Sequence, residues 1–259
     1  MQEANIIQWL VLAFIQGLTE YLPVSSSAHL ILVSKILNWQ DQGLLMDIAA
    51  HGGSLVAVVI YFKDEIIKLF KGQNWQLFMQ LTFASIPLAL VGFILADFIE
   101  SNLRSPIVIA LGSIIFGLLL YFADLQQRKA KNNNKTITKK SAIIIGIGQV
   151  FALIPGASRS GVTMTAAMAL GYSRTKAARF SFLLAIPALL MTTAYGLLKL
   201  YQQPTSSNIL GASIIFTVSF LVSFVSIKVF LALIERIPMS VFVWYRIALA
   251  AFLLYWFTL

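Results

Sequence analysis

Two polar segments interrupt this strongly hydrophobic sequence, and each combines an ionisable side chain with hydroxyls and a proline. The first covers residues 16–29 and contains Glu20 and His29, while the second covers residues 155–163 and contains Arg159. An unpaired charge at the centre of a bilayer costs about 2.5–3.5 kcal/mol, so charges persist there when they pair, line a cavity or do chemistry. The two segments are therefore the first candidates for a functional site.

The first segment has the pattern of a helix that stops at a polar tip. Gln16 and Glu20 are four residues apart, which places both on one helical face. Pro23 ends that helix, and a helix that begins after it would direct its positive dipole end at the tip, which favours an anion. Three hydroxyls lie in this turn, on Ser25, Ser26 and Ser27.

The second segment repeats this design with a cation. A proline and Gly156 turn the chain, and the hydroxyls of Ser158 and Ser160 flank Arg159. The planar guanidinium of an arginine matches phosphate oxygens, and Thr163 follows Ser160 by about one helical turn. The two segments together predict a phosphate-binding cradle that faces a carboxylate and an imidazole, the combination that phosphoryl transfer requires.

Each of these residues also has a purely structural interpretation. For Glu20 and Arg159, the alternative is an ion pair that only holds two segments together. For His29, it is a hydrogen-bonded imidazole in the interior. Serines in membrane helices usually bond back to their own helix or pack against a neighbouring one, and most serines of this sequence are expected to do only that.

Further polar residues lie within the hydrophobic segments. Asp47 and His51 are four residues apart near the start of the first long apolar run, where they either support the site or form an ordinary pair near the outer interface. Arg246 in the last run has three interpretations, since it either snorkels to the interface, binds a headgroup or braces the core.

The composition defines the class of protein that must position these groups. The chain has 259 residues, of which 59% are hydrophobic and only 11% are charged, against about 25% charged in soluble domains. Long apolar runs recur from end to end, which predicts an all-α polytopic membrane protein that forms a single integral membrane domain over 1–259. The absence of cysteine excludes disulfides and thiolate metal sites.

Six runs are long enough to cross a bilayer, and two others are broken in the middle. The predicted spans are residues 45–63, 76–97, 106–124, 178–199, 208–231 and 240–258. Residues 6–37 and 142–170 carry the polar segments near their centres and are predicted to form re-entrant helical hairpins, which membranes tolerate only where protein or water surrounds the tip.

The order of these elements predicts an inverted-topology repeat. A hairpin returns to the side from which it enters, and three spans are an odd number, so the second half lies upside down relative to the first. The first repeat covers 1–124, a basic cytoplasmic linker covers 125–141, and the second repeat covers 142–259. The two hairpin tips would then meet near the midplane.

The distribution of basic residues predicts the orientation. Of the 19 Lys and Arg residues, only Lys35, Arg104 and Lys199 fall on the side of the N-terminus, while Arg159 and Arg246 lie inside segments. The remainder fall on the opposite side, which is therefore cytoplasmic, and both termini face outward. The net charge of +9 is thus a positive-inside signature, and we expect no nucleic-acid partner.

The two segments together resemble the bacterial undecaprenyl-diphosphatase family. The motifs that carry this resemblance are Gln16…Glu20 leading into Leu-Pro-Val-Ser-Ser at 22–26, a nearby His29, and Pro-Gly-Ala-Ser-Arg-Ser-Gly-Val-Thr at 155–163. The length, the hairpin positions and the closing Tyr245-Arg246 are also similar, so the resemblance covers essentially the whole chain.

The resemblance implies hydrolysis of undecaprenyl diphosphate to undecaprenyl phosphate and inorganic phosphate, which recycles the carrier lipid of peptidoglycan synthesis. It implies a bacterial inner-membrane protein whose active site opens to the outer face. It also implies a divalent cation, Mg²⁺ or Ca²⁺, and resistance to bacitracin, which competes indirectly by binding the substrate. A homodimer is compatible with it. The presence of Gln16 where a second carboxylate is common weakens a two-carboxylate cation site, since hard cations favour charged oxygen ligands.

The mechanism expected on this basis gives each residue a role. Glu20 takes a proton or holds the metal, Ser26 attacks the terminal phosphorus or orients a water, and His29 assists as an acid/base or orients its neighbours. Arg159 clamps the diphosphate. The remaining expected substrate-binding residues are Gln16, Ser25, Ser27, Gly156, Ser158, Ser160 and Thr163.

The main alternative is a transporter or lipid flippase, because inverted repeats with broken hairpins are transporter architecture and a fold does not settle function. A transporter needs a binding site and two gates but no nucleophile beside a base. A structural scaffold ranks last, since it explains neither the doubled motif nor the buried charges.

Overall fold

The computed structural model describes residues 6–39, 43–103, 105–129, 135–202 and 208–258. The regular secondary structure within these ranges is all helical, with a short 3-10 helix at Phe151–Leu153 and no strand. The helices are α1 (Ile6–Thr19), α2 (Ser26–Ile36), α3 (Leu44–Tyr61), α4 (Lys63–Phe70), α5 (Trp75–Asn102), α6 (Pro106–Lys129), α7 (Lys139–Val150), α8 (Arg159–Ala169), α9 (Arg174–Gln202), α10 (Ile209–Leu233) and α11 (Ser240–Thr258). The all-α prediction is confirmed.

Six of these helices are long and apolar enough to cross a bilayer, as predicted: α3, α5, α6, α9, α10 and α11. Two pairs of shorter helices lie where the hairpins were predicted, α1 with α2 and α7 with α8. The longest of the four, α1, has 14 residues. At 1.5 Å per residue it extends about 21 Å, which is less than the ~30 Å hydrocarbon core.

Each hairpin packs against the opposite half of the chain. The first helix of each hairpin packs against a long helix of the other half, α1 against α10 and α7 against α5. The long helices also pair across the halves, α3 with α9 and α10, and α6 with α11. This reciprocal packing is what an inverted repeat would produce, although the opposite orientation of the halves in a membrane stays a prediction.

Serine hydroxyls fix the contact between α1 and α10. Ser219, Ser223 and Ser226 of α10 donate hydrogen bonds of 3.1, 3.2 and 3.0 Å to backbone carbonyls of α1. Gly17 permits this approach, because a Cβ there would lie 2.9 Å from the carbonyl oxygen of Ser219. Small residues and interhelical hydrogen bonds replace the hydrophobic effect as the source of helix association in lipid.

Two details differ from the sequence prediction. Helix α6 continues past the predicted end at 124, since the buried carboxylate of Asp124 accepts hydrogen bonds of 2.8 Å from both Arg128 and Arg174. The predicted linker at 125–141 is therefore helical up to Lys129 and again from Lys139, and its residues 130–134 lie outside the described residues. The short helix α4 was not predicted, because its charged residues resemble a loop.

Adjacent glycines in α3 offer a matched test of the α3–α10 contact. A Cβ on Gly53 would collide with the carbonyl oxygen of Phe216 and lie 2.9 Å from the backbone nitrogen of Phe220, whereas a Cβ on Gly52 would meet only the Phe216 ring at 3.5 Å. We expect Gly53→Ala to lower the free energy of unfolding by about 1–3 kcal/mol through overpacking. Thermal denaturation in detergent checks this, and an equal loss in Gly52→Ala would contradict it.

Candidate functional site

The two hairpin tips have matching backbone conformations. Ser25 and Ser158 immediately precede α2 and α8, and their φ angles of 71° and 70° lie in the left-handed region that non-glycine residues rarely adopt. Backbone strain of this kind costs of order 1–3 kcal/mol and often accompanies functional sites. Ser26 and Arg159 therefore occupy the same position in the two hairpins, at the first residue of a short helix.

An ion pair joins the two tips. Nη2 of Arg159 donates to Oε1 of Glu20 at 2.8 Å, and both side chains are largely buried. A second nitrogen of the same guanidinium, Nη1, donates to the carbonyl oxygen of Ser181 at 3.2 Å. The central carbon of the guanidinium, Cζ, lies 5.5 Å from the centroid of the Tyr21 ring. The meeting of Glu20 and Arg159 that the sequence predicts is thus observed.

The other oxygen of Glu20 faces α1 and α2. Gln16 lies on the predicted helical face, and its Nε2 donates to Oε2 of Glu20 at 2.9 Å. The Ser26 hydroxyl also donates to Oε2, at 3.3 Å. Ser27 is exposed, and its Oγ lies 3.2 Å from Oγ of Ser25. Of the three neighbouring serines, Ser26 is thus the one whose hydroxyl is hydrogen-bonded to a carboxylate.

A cavity of about 230 Å³ lies where the tips meet. Its charged and hydroxyl-bearing residues from the two tips are Glu20, Ser25, Ser26, Ser27, Ser158 and Arg159. Its apolar wall consists of Leu88, Ala152, Leu153, Ala188 and Leu189. The chemistry of the lining therefore suits a ligand with an anionic head and an apolar body. A larger groove of about 460 Å³ between α3 and α10 is lined mainly by apolar residues and lies away from these groups.

Three residues predicted to bind substrate lie behind the cavity wall. Ser160 is fully buried and donates to the carbonyl oxygen of Leu22 in the other tip at 2.8 Å. Thr163 is also fully buried, and its Oγ1 lies 2.6 Å from Oγ of Ser181. Gly156 (φ 92°) has no room for a side chain against the backbone of Ile109. The structure thus places these three in buried contacts, Ser160 with the other tip, Thr163 with α9 and Gly156 with α6.

The two histidines of the sequence have different surroundings. Nδ1 of His29 lies 2.7 Å from the carbonyl oxygen of Ser25, and its Nε2 lies 2.6 Å from the Tyr245 hydroxyl. The imidazole that lines the cavity belongs instead to His51 of α3. The sequence left two interpretations for His51, support of the site or an ordinary pair with Asp47 near the outer interface, and its place in the cavity lining agrees with the first.

Arg246 of α11 braces the core, which decides among its three interpretations. Its side chain is fully buried, and no carboxylate pairs with it within the described ranges. Its guanidinium donates hydrogen bonds of 2.8–3.4 Å to the carbonyl oxygens of Pro23, Gly112, Ser113, Gly156 and Ala157. One side chain thus connects both hairpin tips to α6, which is the core-bracing role among the three that the sequence left open.

The fold and the site define a multi-pass helical membrane protein with a charged cavity between two short-helix hairpins. Residues 9–252 match the family described as bacitracin resistance protein BacA. The undecaprenyl-diphosphatase of Campylobacter concisus is 45% identical over 96% of this chain and 97% of its own length. Undecaprenyl-diphosphatase 1 of Pseudoalteromonas translucida is 46% identical over 98% of this chain and 100% of its own. The undecaprenyl-diphosphatase of Saccharophagus degradans is 43% identical over 98% and 99%, respectively. The chain belongs to the BacA family.

Proposed function

We propose that this protein hydrolyses undecaprenyl diphosphate to undecaprenyl phosphate and inorganic phosphate, and thereby recycles the carrier lipid and confers bacitracin resistance. The observation that carries the proposal is the cluster of Glu20, Ser26 and Arg159 in one cavity, where a carboxylate contacts both a hydroxyl and a guanidinium. The names of the relatives, which are similar over their whole lengths, support the same reaction.

The diphosphate binds where the positive ends of α2 and α8 and the Arg159 fork converge. Backbone N–H groups at a helix start and a planar guanidinium both suit phosphate oxygens. The incoming anion competes with Glu20 for Arg159, since the guanidinium now donates to Oε1 of that carboxylate. Glu20 is then left in contact with the Ser26 hydroxyl, which donates to its other oxygen, Oε2.

Ser26 is the nucleophile of this mechanism. Its Oγ transfers a proton to Glu20 and bonds to the terminal phosphorus, while the bond from that phosphorus to the bridging oxygen breaks and undecaprenyl phosphate leaves. Water then hydrolyses the phosphoserine. His29 acts by orientation, because its Nδ1 holds the carbonyl group of Ser25, the residue before the nucleophile.

The site offers oxygen ligands for the divalent cation that the family resemblance implies. Oε1 of Gln16 is buried without a hydrogen-bond partner among the described residues, next to a carboxylate that accepts from the same amide. Oε1 of Gln16 would bind Mg²⁺ or Ca²⁺, with the diphosphate and water completing the ligand set, because Glu20 is required as the base of the Ser26 step. A bound cation would neutralise charge on the phosphate oxygens.

The distribution of basic residues and the packing of the hairpins support the proposed orientation in the membrane. The excess of Lys and Arg on one side supports outward-facing termini in the bacterial inner membrane and a site that opens to the outer face. The reciprocal packing of the hairpins supports the inverted repeat. Bacitracin then competes from outside by binding the substrate, and assembly into a homodimer stays a prediction.

A phosphate-release assay with the C55 diphosphate and purified protein tests the function. Activity should fall with a chelator and return when Mg²⁺ or Ca²⁺ is added. Translocation of the lipid without phosphate release would instead identify the transporter or flippase.

Substitution and trapping of the phosphoserine can distinguish the roles of Ser26 and Ser27. Ser26→Ala should lower phosphate release by two or more orders of magnitude, because it removes the group that bonds to phosphorus. Ser27→Ala is the matched control and should retain activity within several-fold, since its exposed hydroxyl contacts Ser25 and not the carboxylate. Rapid quenching and peptide mass spectrometry should detect phosphate on Ser26. Phosphate on Ser27, or full activity of Ser26→Ala, would reverse this assignment.

A further inference from the structure

The cavity contains an imidazole to which the mechanism above gives no task. His51 belongs to α3 and lines the same cavity as Glu20 and Ser26 of the first hairpin tip. Nδ1 of its ring lies 2.8 Å from the backbone carbonyl oxygen of Asp47, one helical turn earlier. Since a carbonyl oxygen only accepts hydrogen bonds, Nδ1 must carry a proton.

This contact leaves the lone pair of the neutral ring on Nε2. Within the described parts of the chain, no hydrogen-bond partner contacts Nε2 of His51. His29 differs, because its Nδ1 contacts the carbonyl oxygen of Ser25 and its Nε2 contacts the Tyr245 hydroxyl. The ring that lines the cavity thus has a basic nitrogen available, while the other ring has both nitrogens engaged.

The order of proton transfers creates a need for a second base. Glu20 receives the Ser26 proton when the phosphoserine forms, so it enters the second step protonated. Ser26 needs that proton back when its bond to phosphorus breaks. Glu20 is therefore the acid of the second step and cannot also take a proton from the attacking water.

We propose that His51 is the catalytic base for hydrolysis of the phosphoserine, an inference that rests on the proposed function. Nε2 takes a proton from water as the water oxygen bonds to phosphorus. The bond between phosphorus and Oγ of Ser26 breaks, and Glu20 returns its proton to Oγ. The imidazolium then gives its proton to the departing phosphate or to solvent, which restores every group to its starting state.

The test separates the two half-reactions with a glutamine at position 51. His51→Gln keeps a polar side chain but cannot carry the proton. It should release about one equivalent of undecaprenyl phosphate per protein at the normal rate, whereas steady-state phosphate release should fall by about 10²–10⁴-fold. Phosphoserine should accumulate on Ser26. In His51→Ala, added imidazole should restore part of the phosphate release, which a purely structural role would not allow.

The other histidine supplies the matched comparison. His29→Gln should slow formation and hydrolysis of the phosphoserine together, without accumulation and without rescue by imidazole, because its ring contacts Tyr245 and the Ser25 backbone. The inference is overturned if His51→Gln releases phosphate at the normal rate, or if it loses both half-reactions equally and imidazole has no effect on His51→Ala. Failure of the unaltered protein to release any phosphate would instead reject the proposed function.

Discussion

Replacing Arg159 with methionine should lower kcat/KM for phosphate release by about 10³–10⁵-fold, the range that a charge-stabilising arginine contributes to phosphoryl transfer. The guanidinium is largely buried, and it connects Glu20 to the carbonyl oxygen of Ser181. Its loss removes the cation that holds the phosphate oxygens and leaves Glu20 without its strongest partner. Steady-state phosphate release by the purified variant measures the effect.

Two substitutions distinguish catalysis from structure at this position. Arg159→Lys keeps the charge but loses the planar fork, so it should recover only a small part of the activity. Glu20→Gln keeps a hydrogen-bond acceptor for Arg159 but cannot take a proton, so it should retain the fold and still lose activity by orders of magnitude. If Arg159→Met and Glu20→Gln both remain nearly as active as the unaltered protein, the ion pair is only structural.

Replacing Arg246 with methionine should lower the free energy of unfolding by more than Gly53→Ala does. The side chain supplies donors to five backbone carbonyls, three of them in the non-helical tips at Pro23, Gly156 and Ala157. Each buried carbonyl left unpaired costs about 1–3 kcal/mol, so we expect a decrease of about 3 kcal/mol or more in the free energy of unfolding. Thermal denaturation in detergent should show the decrease, together with reduced activity, because both tips lose their common anchor.

Two further variants serve as controls, one with a different cation at position 246 and one with the same substitution at an exposed arginine. Arg246→Lys offers three donors from a single nitrogen, so it should recover only part of the stability. Arg236→Met removes an exposed arginine from the turn before α11 and should leave denaturation nearly unchanged. Equal melting temperatures for Arg246→Met and the unaltered protein would show that the five hydrogen bonds add no net stability.

The fold was largely predictable because the bilayer imposes a length on each helix. Apolar runs of about 20 residues correspond to the six long helices, and the breaks at Pro23 and Pro155 correspond to the two pairs of short ones. The pairing of Glu20 with Arg159 was predictable for a related reason, since two buried opposite charges stabilise each other. Hydropathy was less informative at the ends, where buried Asp124 extends α6.

Which side chains face the cavity could not be predicted from the motif. Ser160 and Thr163 belong to the same run as Arg159, but the helical phase set by the start of α8 turns both hydroxyls into the protein. The contacts of Arg246 depend on carbonyl groups that lie far away in sequence, and carbonyl groups have no residue-specific signature. His51 lines the cavity and His29 does not, a difference that depends on the packing of α3 against α9 and that the motif does not encode.

The packing of each hairpin against the opposite half of the chain also has a consequence for the synthesis of the protein. Helix α1 is synthesised before α10, the helix that packs against it and whose serine hydroxyls donate hydrogen bonds to its backbone carbonyls. At about 5–20 residues per second, the interval between them is on the order of tens of seconds. For most of it, the first hairpin carries Glu20 without Arg159, which is synthesised about 50 residues before α10. The first hairpin therefore acquires both its counter-ion and its packing partner only after most of the second half has been synthesised.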